Sequence, residues 1–249
     1  MKSSATTPAP VAPAGAPGAH PAVGACFAAI RAPELYRNFM VHGFVMFPAG
    51  MVLCYVATLI DAAAGVAPLP QPGLRLALGA AMVGLGGIWV WYVYGFLFLV
   101  GHGSPGTHVD GGPTDLVDTG PYTMIRHPSV LGKVLAVAGL GVAWGSPIFL
   151  GVFLPILVAY SLVTNRLLQE RFCDERFGPA YALYRSRVPM VVPRPAGLRR
   201  WRAGESALTA AERNAPRGHP PGIGTEFLYY LAALAGLISI AAAVAAWVA

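Results

Sequence analysis

Four windows of this 249-residue chain, 38–60, 76–109, 134–165 and 227–249, contain no Asp, Glu, Lys or Arg. A helix gains about 1.5 Å per residue, so roughly 20 apolar residues cross a hydrocarbon core of ~30 Å. Each window is long enough to do so. Charged residues make up 11% of the chain, against about 25% in ordinary soluble domains. The expected fold class is therefore all-α: a polytopic membrane helical bundle of about five transmembrane helices. A soluble enzyme, a secreted disulfide scaffold and a nucleic-acid-binding domain are excluded.

The spans are expected at about 39–60, 74–100, 128–144, 147–164 and 227–249. Pro48 lies inside the first, and a proline inside a membrane helix predicts a kink. In the second, Gly79, Ala80, Gly84 and Gly87 suit close helix approach, and an aromatic run, IWVWYVYGFLF, follows. Those aromatics mark either the membrane interface or a pocket for a flat ligand. The third and fourth spans are short and joined by Gly145 and Ser146, which predicts a helical hairpin whose ends return to one side. Pro155 is expected to kink its second helix.

Eleven of the 17 basic residues fall between positions 166 and 217. Lys/Arg excess marks cytoplasmic loops, and basic juxtamembrane clusters also attract anionic lipids. This sets an N-in, C-out topology in which Arg75 alone breaks the rule. Residues 1–31 read as a disordered Ala/Pro-rich tail, with 32–38 an amphipathic lead into the membrane. Residues 32–195 form the membrane domain, 196–226 a basic cytoplasmic linker and 227–249 a terminal span. A bacterial inner membrane is the expected setting.

Cys26, Cys54 and Cys173 have no metal-ligand spacing, so neither a disulfide framework nor a zinc site is expected. His102, His108, Asp110, Asp115 and Asp118 share a glycine-rich loop without helical or hairpin regularity, and no metal is expected there. No phosphate loop, dinucleotide fingerprint or HExxH motif is present.

Two segments at opposite ends of the hairpin stand out. GPYTMIRHPSVLG (120–132) enters the third span, with Pro128 suited to the first helical turn and Arg126 and His127 beside a helix N-terminus that favours anionic groups. QERFCDERFGPAYALYRSRVP (169–189) leaves the fourth. Because the hairpin returns, the two should meet at one membrane edge.

These segments resemble the isoprenylcysteine carboxyl methyltransferase family and its relatives among the phospholipid methyltransferases. That family's pattern runs GPY-x-x-x-RHP-x-Y-x-G, a hairpin, then EE, FG-x-x-Y-x-x-Y and VP. The resemblance covers about 115–195. It departs at Val130, where the pattern has tyrosine, and at Gln169, where it has glutamate.

The resemblance implies S-adenosyl-L-methionine at the cytoplasmic edge, a lipophilic acceptor arriving from the bilayer, and membrane lipids as surroundings. Nucleic acid and metal are not expected partners. The cofactor contacts it implies are Pro121, Tyr122, Arg126, His127, Pro128, Leu131, Gly132, Glu170, Tyr181 and Tyr184. Arg126 suits the cofactor carboxylate, Glu170 its diol or ammonium, and Tyr122, Leu131, Tyr181 and Tyr184 its apolar faces. The implied catalytic set is Arg126, His127, Glu170 and Arg187. His127 or Glu170 would take a proton from an amine acceptor, and Arg187 would orient an anionic one. Two other classes share parts of the pattern: an NADPH-dependent membrane sterol or enone reductase, and a non-enzymatic membrane protein keeping the scaffold.

Overall fold

The computed structural model describes residues 20–103 and 113–213, and isolated residues between 232 and 246. Among the described residues every regular element is helical: α1 (Val23–Ala28), α2 (Pro33–Ala63), α3 (Pro72–Gly101), α4 (Pro128–Trp144), α5 (Leu154–Thr164), α6 (Glu170–Arg187), α7 (Pro195–Ala203) and α8 (Ala210–Arg213). Short 3₁₀ turns occupy Ala29–Arg31 and Gly120–Thr123. Most of the expected disordered tail, the loop positions of His108 and Asp110, and the second half of the basic linker lie outside the described residues. Where the fifth span is expected, only isolated helical residues are described.

Two helices are long and apolar enough to cross a membrane, α3 and the continuous helix Phe149–Arg187. Pro48–Ala63 and α4 are shorter apolar stretches. The all-helical class and membrane-type helices therefore hold. The amphipathic lead and first span are one element, because α2 starts at Pro33 and runs through Pro48.

α3 and α4 pack antiparallel through two reciprocal glycine pairs. A Cβ on Gly79 would lie 2.5 Å from the Gly139 carbonyl oxygen, and one on Gly139 would lie 2.7 Å from that of Gly79. Gly86 and Gly132 repeat this at 2.4 and 2.7 Å. Both pairs are separated by seven residues, two helical turns, so they share a face. Backbone contact this close is what small residues permit between membrane helices. Gly84 and Gly87, also expected at this crossing, have open space around them instead. They sit on the other side of α3.

The hairpin forms as expected. Gly145 takes φ +79 as the C-cap of α4, a left-handed conformation that suits glycine. Ser146 is buried, and its Oγ accepts the Phe149 N–H at 3.0 Å. Its hydroxyl donates to Asp61 of α2, whose other oxygen accepts the Ile148 N–H at 3.1 Å. Asp61 thereby latches the turn to α2. Arg75, the topological exception, has a local role there: its guanidinium lies against Gly145 and donates to the Leu69 carbonyl at 2.7 Å.

Two π turns flank α5, Phe149–Phe153 and Asn165–Gln169. The first lies just before Pro155, so the missing N–H is met by a wider turn in a continuous helix. The second joins α5 to α6 without a break. Each extra residue in a π turn rotates the following face by roughly 100°, and this rotation decides which side chains of 165–170 point inward. Within α6, Gly178 (φ 50, ψ −125) breaks the helix before Pro179.

Candidate functional site

The hairpin brings the two motif segments together. The peptide N–H of Arg126 donates to the Pro189 carbonyl at 2.9 Å, and that of His127 donates to Met190 at 3.2 Å. The Tyr184 hydroxyl donates to the Tyr122 carbonyl at 2.8 Å. The Thr123 hydroxyl donates to the carbonyls of Gly120 (2.8 Å) and Gly197 (3.0 Å), docking α7 under the 3₁₀ turn. Asp118 closes the same layer: its carboxylate accepts the Leu208 N–H at 2.8 Å and its carbonyl accepts that of Ala207 at 2.9 Å. Burial nevertheless raises the carboxyl pKa of Asp118, with Arg213 and the Leu208 N–H acting against that rise.

Glu170 is the centre of the polar network. It is fully buried, a placement that is costly for a carboxylate unless paired. One oxygen accepts Arg126 Nε and Nη2, each at 2.8 Å, and lies 3.4 Å from His127 Nε2. The other accepts Arg166 Nη1. Arg126 uses its remaining terminal nitrogen on the carbonyls of Arg185 (2.9 Å) and Val188 (2.7 Å). It thereby satisfies free carbonyls at the end of α6. Burial pushes the His127 imidazole below its ordinary pKa, with Glu170 working in the opposite direction.

Against this network lies a cavity of about 210 Å³. Tyr122, His127, Gln169, Tyr181 and Tyr184 surround its polar end, with an edge of Arg126. From there it runs between α2 (Gly50, Leu53), α4 (Ser129, Lys133, Val137) and α5 (Leu154, Leu157, Val158). The aromatic run on α3 divides its work. Tyr94 lines the cavity, Trp89 donates to the Pro128 carbonyl at 2.7 Å and meets Trp201 edge-on, and Phe96 stacks on Tyr122 at 6.4 Å. These rings hold the motif segments as well as lining a pocket.

The residues expected from the sequence therefore separate into groups. Tyr122, Arg126, His127, Pro128, Tyr181 and Tyr184 line the cavity. Glu170 is not among the lining residues; it is fully buried and pairs with Arg126, Arg166 and His127. The guanidinium of Arg126 is already engaged by Glu170 and α6, which leaves little of it for a cofactor carboxylate. Gly132 serves the helix crossing with Gly86, Pro121 is buried in the 3₁₀ turn, and Leu131 lies off the cavity. Arg187 points elsewhere: it pairs with Glu212 at 2.6 and 2.9 Å and donates to the Ala207 carbonyl at 3.0 Å. Its guanidinium holds the Glu212 carboxyl down at about 2.

Three lining residues carry no motif signal, Lys133, Asn165 and Phe172, whereas Phe177 is the phenylalanine of the FG pair and Gln169 the departure from the glutamate pair. Lys133 is the single charge of α4, and it stands four residues from Ser129 on the same face. That pairing was the available clue. Asn165 had none, because its inward orientation depends on the π turn. Among the described residues, no group of three or more His, Cys, Asp or Glu is placed to hold a metal ion.

Comparison with known proteins agrees with the resemblance read from these segments. Residues 74–180 match the model of the phospholipid methyltransferase family. Over 82 residues the chain is 38% identical to methanethiol S-methyltransferase 2 of Bradyrhizobium diazoefficiens, covering 32% of this chain and 29% of that relative. The matched part thus spans less than a third of the relative's length. No solved structure gives a significant match.

Proposed function

We infer, from a phospholipid-methyltransferase segment that runs from α3 into α6, that this chain is an S-adenosylmethionine-dependent methyltransferase of a membrane. It acts on a lipophilic acceptor, either the carboxylate of an isoprenylcysteine-like molecule or a phospholipid amine. The observation that carries this reading is the cavity: its aromatic and polar end belongs to the motif residues, and its other end is an apolar groove between helices. Such a site receives a water-borne cofactor at one end and a bilayer-borne acceptor at the other.

The donor set fits the cofactor. Tyr122, Tyr181 and Phe177 offer flat faces for a base, and Gln169, Asn165 and Ser129 offer amide and hydroxyl groups for a diol and an amino-acid tail. When bound, S-adenosylmethionine supplies an electrophilic methyl group on a sulfonium. The residues of this chain contribute orientation and exclusion of water. His127 lines the cavity and is placed to accept a proton where the acceptor is an amine. Glu170 and Arg126 hold that imidazole and the end of α6 in register.

The cytoplasmic location of the site, the five-span N-in topology and the 32–195 catalytic domain complete this reading. The concentration of Lys and Arg after α5 supports them. Titration of the purified protein with S-adenosylhomocysteine and with NADPH tests the cofactor. Binding of S-adenosylhomocysteine alone is expected, whereas binding of NADPH alone would instead indicate a reductase. Transfer of labelled methyl into membrane extract, followed by identification of the product, tests the acceptor.

A further inference from the structure

α7 (PAGLRRWRA) is amphipathic and carries Arg199, Arg200 and Arg202, with Arg194 as its N-cap. Its inner face is fixed. The Gly197 carbonyl accepts the Thr123 hydroxyl at 3.0 Å, and Trp201, one turn on, meets Trp89 of α3 with ring centroids 5.8 Å apart. A Cβ on Gly197 would lie 2.5 Å from the Thr123 carbonyl oxygen, so the helix rests directly on backbone. Arg199 and Arg202, three residues apart, share the opposite and exposed face; Arg194 is exposed as well, and Arg200 is half-buried. Elsewhere between 126 and 213, Arg126, Arg166, Arg171, Arg185, Arg187 and Arg213 each face a carboxylate. Among the described residues no carboxylate pairs with the four arginines of α7.

The depth of this helix is marked on α3. Leu74, Leu76, Leu78, Leu85 and Ile88 are each more than half exposed, an apolar stretch about 21 Å long. From Trp89 to Gly101 no residue of α3 is exposed. Trp89 also donates to the Pro128 carbonyl, where α4 begins. Two tryptophans in contact at the end of an exposed apolar stretch mark a membrane interface. Val192, 77% exposed, adds an apolar side chain just ahead of α7. At that level the abundant anions are lipid phosphates. A guanidinium fork matches phosphate oxygens, and unneutralised basic residues beside a membrane attract lipids whose phosphate no ammonium offsets. We propose that α7 is a binding site for an anionic phospholipid, with Arg199 and Arg202 on its phosphate, Arg194 and Arg200 flanking it, and its acyl chains in the apolar layer marked by α3. None of these arginines lines the cavity, so the site stands whatever reaction the cavity performs.

The test uses the full chain in a zwitterionic detergent and two fluorescent lipids of identical acyl chains, phosphatidylglycerol and phosphatidylcholine. A basic residue beside an anionic membrane surface contributes about fivefold in affinity, so wild type is expected to bind phosphatidylglycerol at least about tenfold more tightly. Arg199→Gln and Arg202→Gln should each weaken phosphatidylglycerol binding by about fivefold and together by about twentyfold, with phosphatidylcholine binding unchanged. Lysine at both positions should keep most of the preference. Arg171→Gln removes an equal charge from an exposed arginine paired with Glu175 and should leave the preference unchanged. Equal affinities for the two lipids in wild type overturn the proposal, as does an unchanged preference in the double glutamine variant. A loss in Arg171→Gln as large as that in Arg199→Gln also overturns it, because the effect would then belong to net charge and not to α7. The wild-type preference should shrink as salt rises, since exposed charges are screened; a salt-independent preference counts against the site without any variant. A water-borne polyanion is the rival occupant. If a single-stranded oligonucleotide or polyglutamate binds through Arg199 and Arg202 while phosphatidylglycerol does not, the surface serves a different partner and the proposal falls.

Discussion

A single oxygen of Glu170 receives both Nε and Nη2 of Arg126, each at 2.8 Å, across 44 positions of sequence. The pair joins the start of α4 to the start of α6, and through Arg126 it also reaches the end of α6. Removing Glu170 leaves the Arg126 guanidinium without a carboxylate, at a cost of up to about 3–5 kcal/mol, whereas removing Arg126 leaves Glu170 with Arg166 and costs less. Glu170→Ala and Arg126→Ala should each lower the thermal midpoint and weaken S-adenosylhomocysteine binding. The double variant should be less destabilised than the sum of the two. Full additivity in that double-mutant cycle would show that the pair is not coupled.

The α3–α4 crossing gives a matched comparison. Gly132→Ala places a methyl group 2.7 Å from the Gly86 carbonyl oxygen, whereas a methyl at Gly84 meets nothing within 4 Å. Overpacking of this kind costs about 1–3 kcal/mol. Gly132→Ala should therefore unfold at lower temperature and Gly84→Ala at the wild-type temperature. Equal midpoints for the two would contradict the crossing.

Burial lowers the His127 pKa from its ordinary 6.5. In acid the unfolded chain then takes a proton that the folded chain refuses. This contribution is fully present above pH 6.5 and is lost as pH falls below it, at no more than about 1.4 kcal/mol per pH unit. Thermal midpoints measured from pH 8 to pH 5 should fall more steeply for wild type than for His127→Gln. Parallel curves would mean that His127 titrates freely.

Tyr184 and Arg187 lie three residues apart and should behave oppositely. Tyr184→Phe strips the Tyr122 carbonyl of its buried donor, a loss of about 1–3 kcal/mol, and should loosen S-adenosylhomocysteine binding by shifting the Tyr122 turn. Arg187→Ala removes an exposed pair with Glu212 and should leave that affinity unchanged. Calorimetric titration of both variants checks the contrast.

Charge-free windows, the glycine turn at 145 and the two flanking motifs made the helical class, the hairpin and the meeting of its ends legible in the sequence. These are local properties: spacing of apolar residues, the left-handed preference of glycine, and the geometry of a short antiparallel return. Which motif side chains face a ligand was a different matter. Glu170 and Gln169 are neighbours, yet the π turn at Asn165–Gln169 leaves the glutamine on the cavity and the glutamate behind it. Arg187 likewise belongs to the motif segment but is drawn outward by Glu212, 25 positions away. Lys133 is a lone charge in the sequence and a wall of the groove only once α2, α3 and α5 enclose it. Sequence spacing alone established which segments converge. Only tertiary packing decided which of their atoms remain available, because helix register and long-range ion pairs are set by contacts between distant elements.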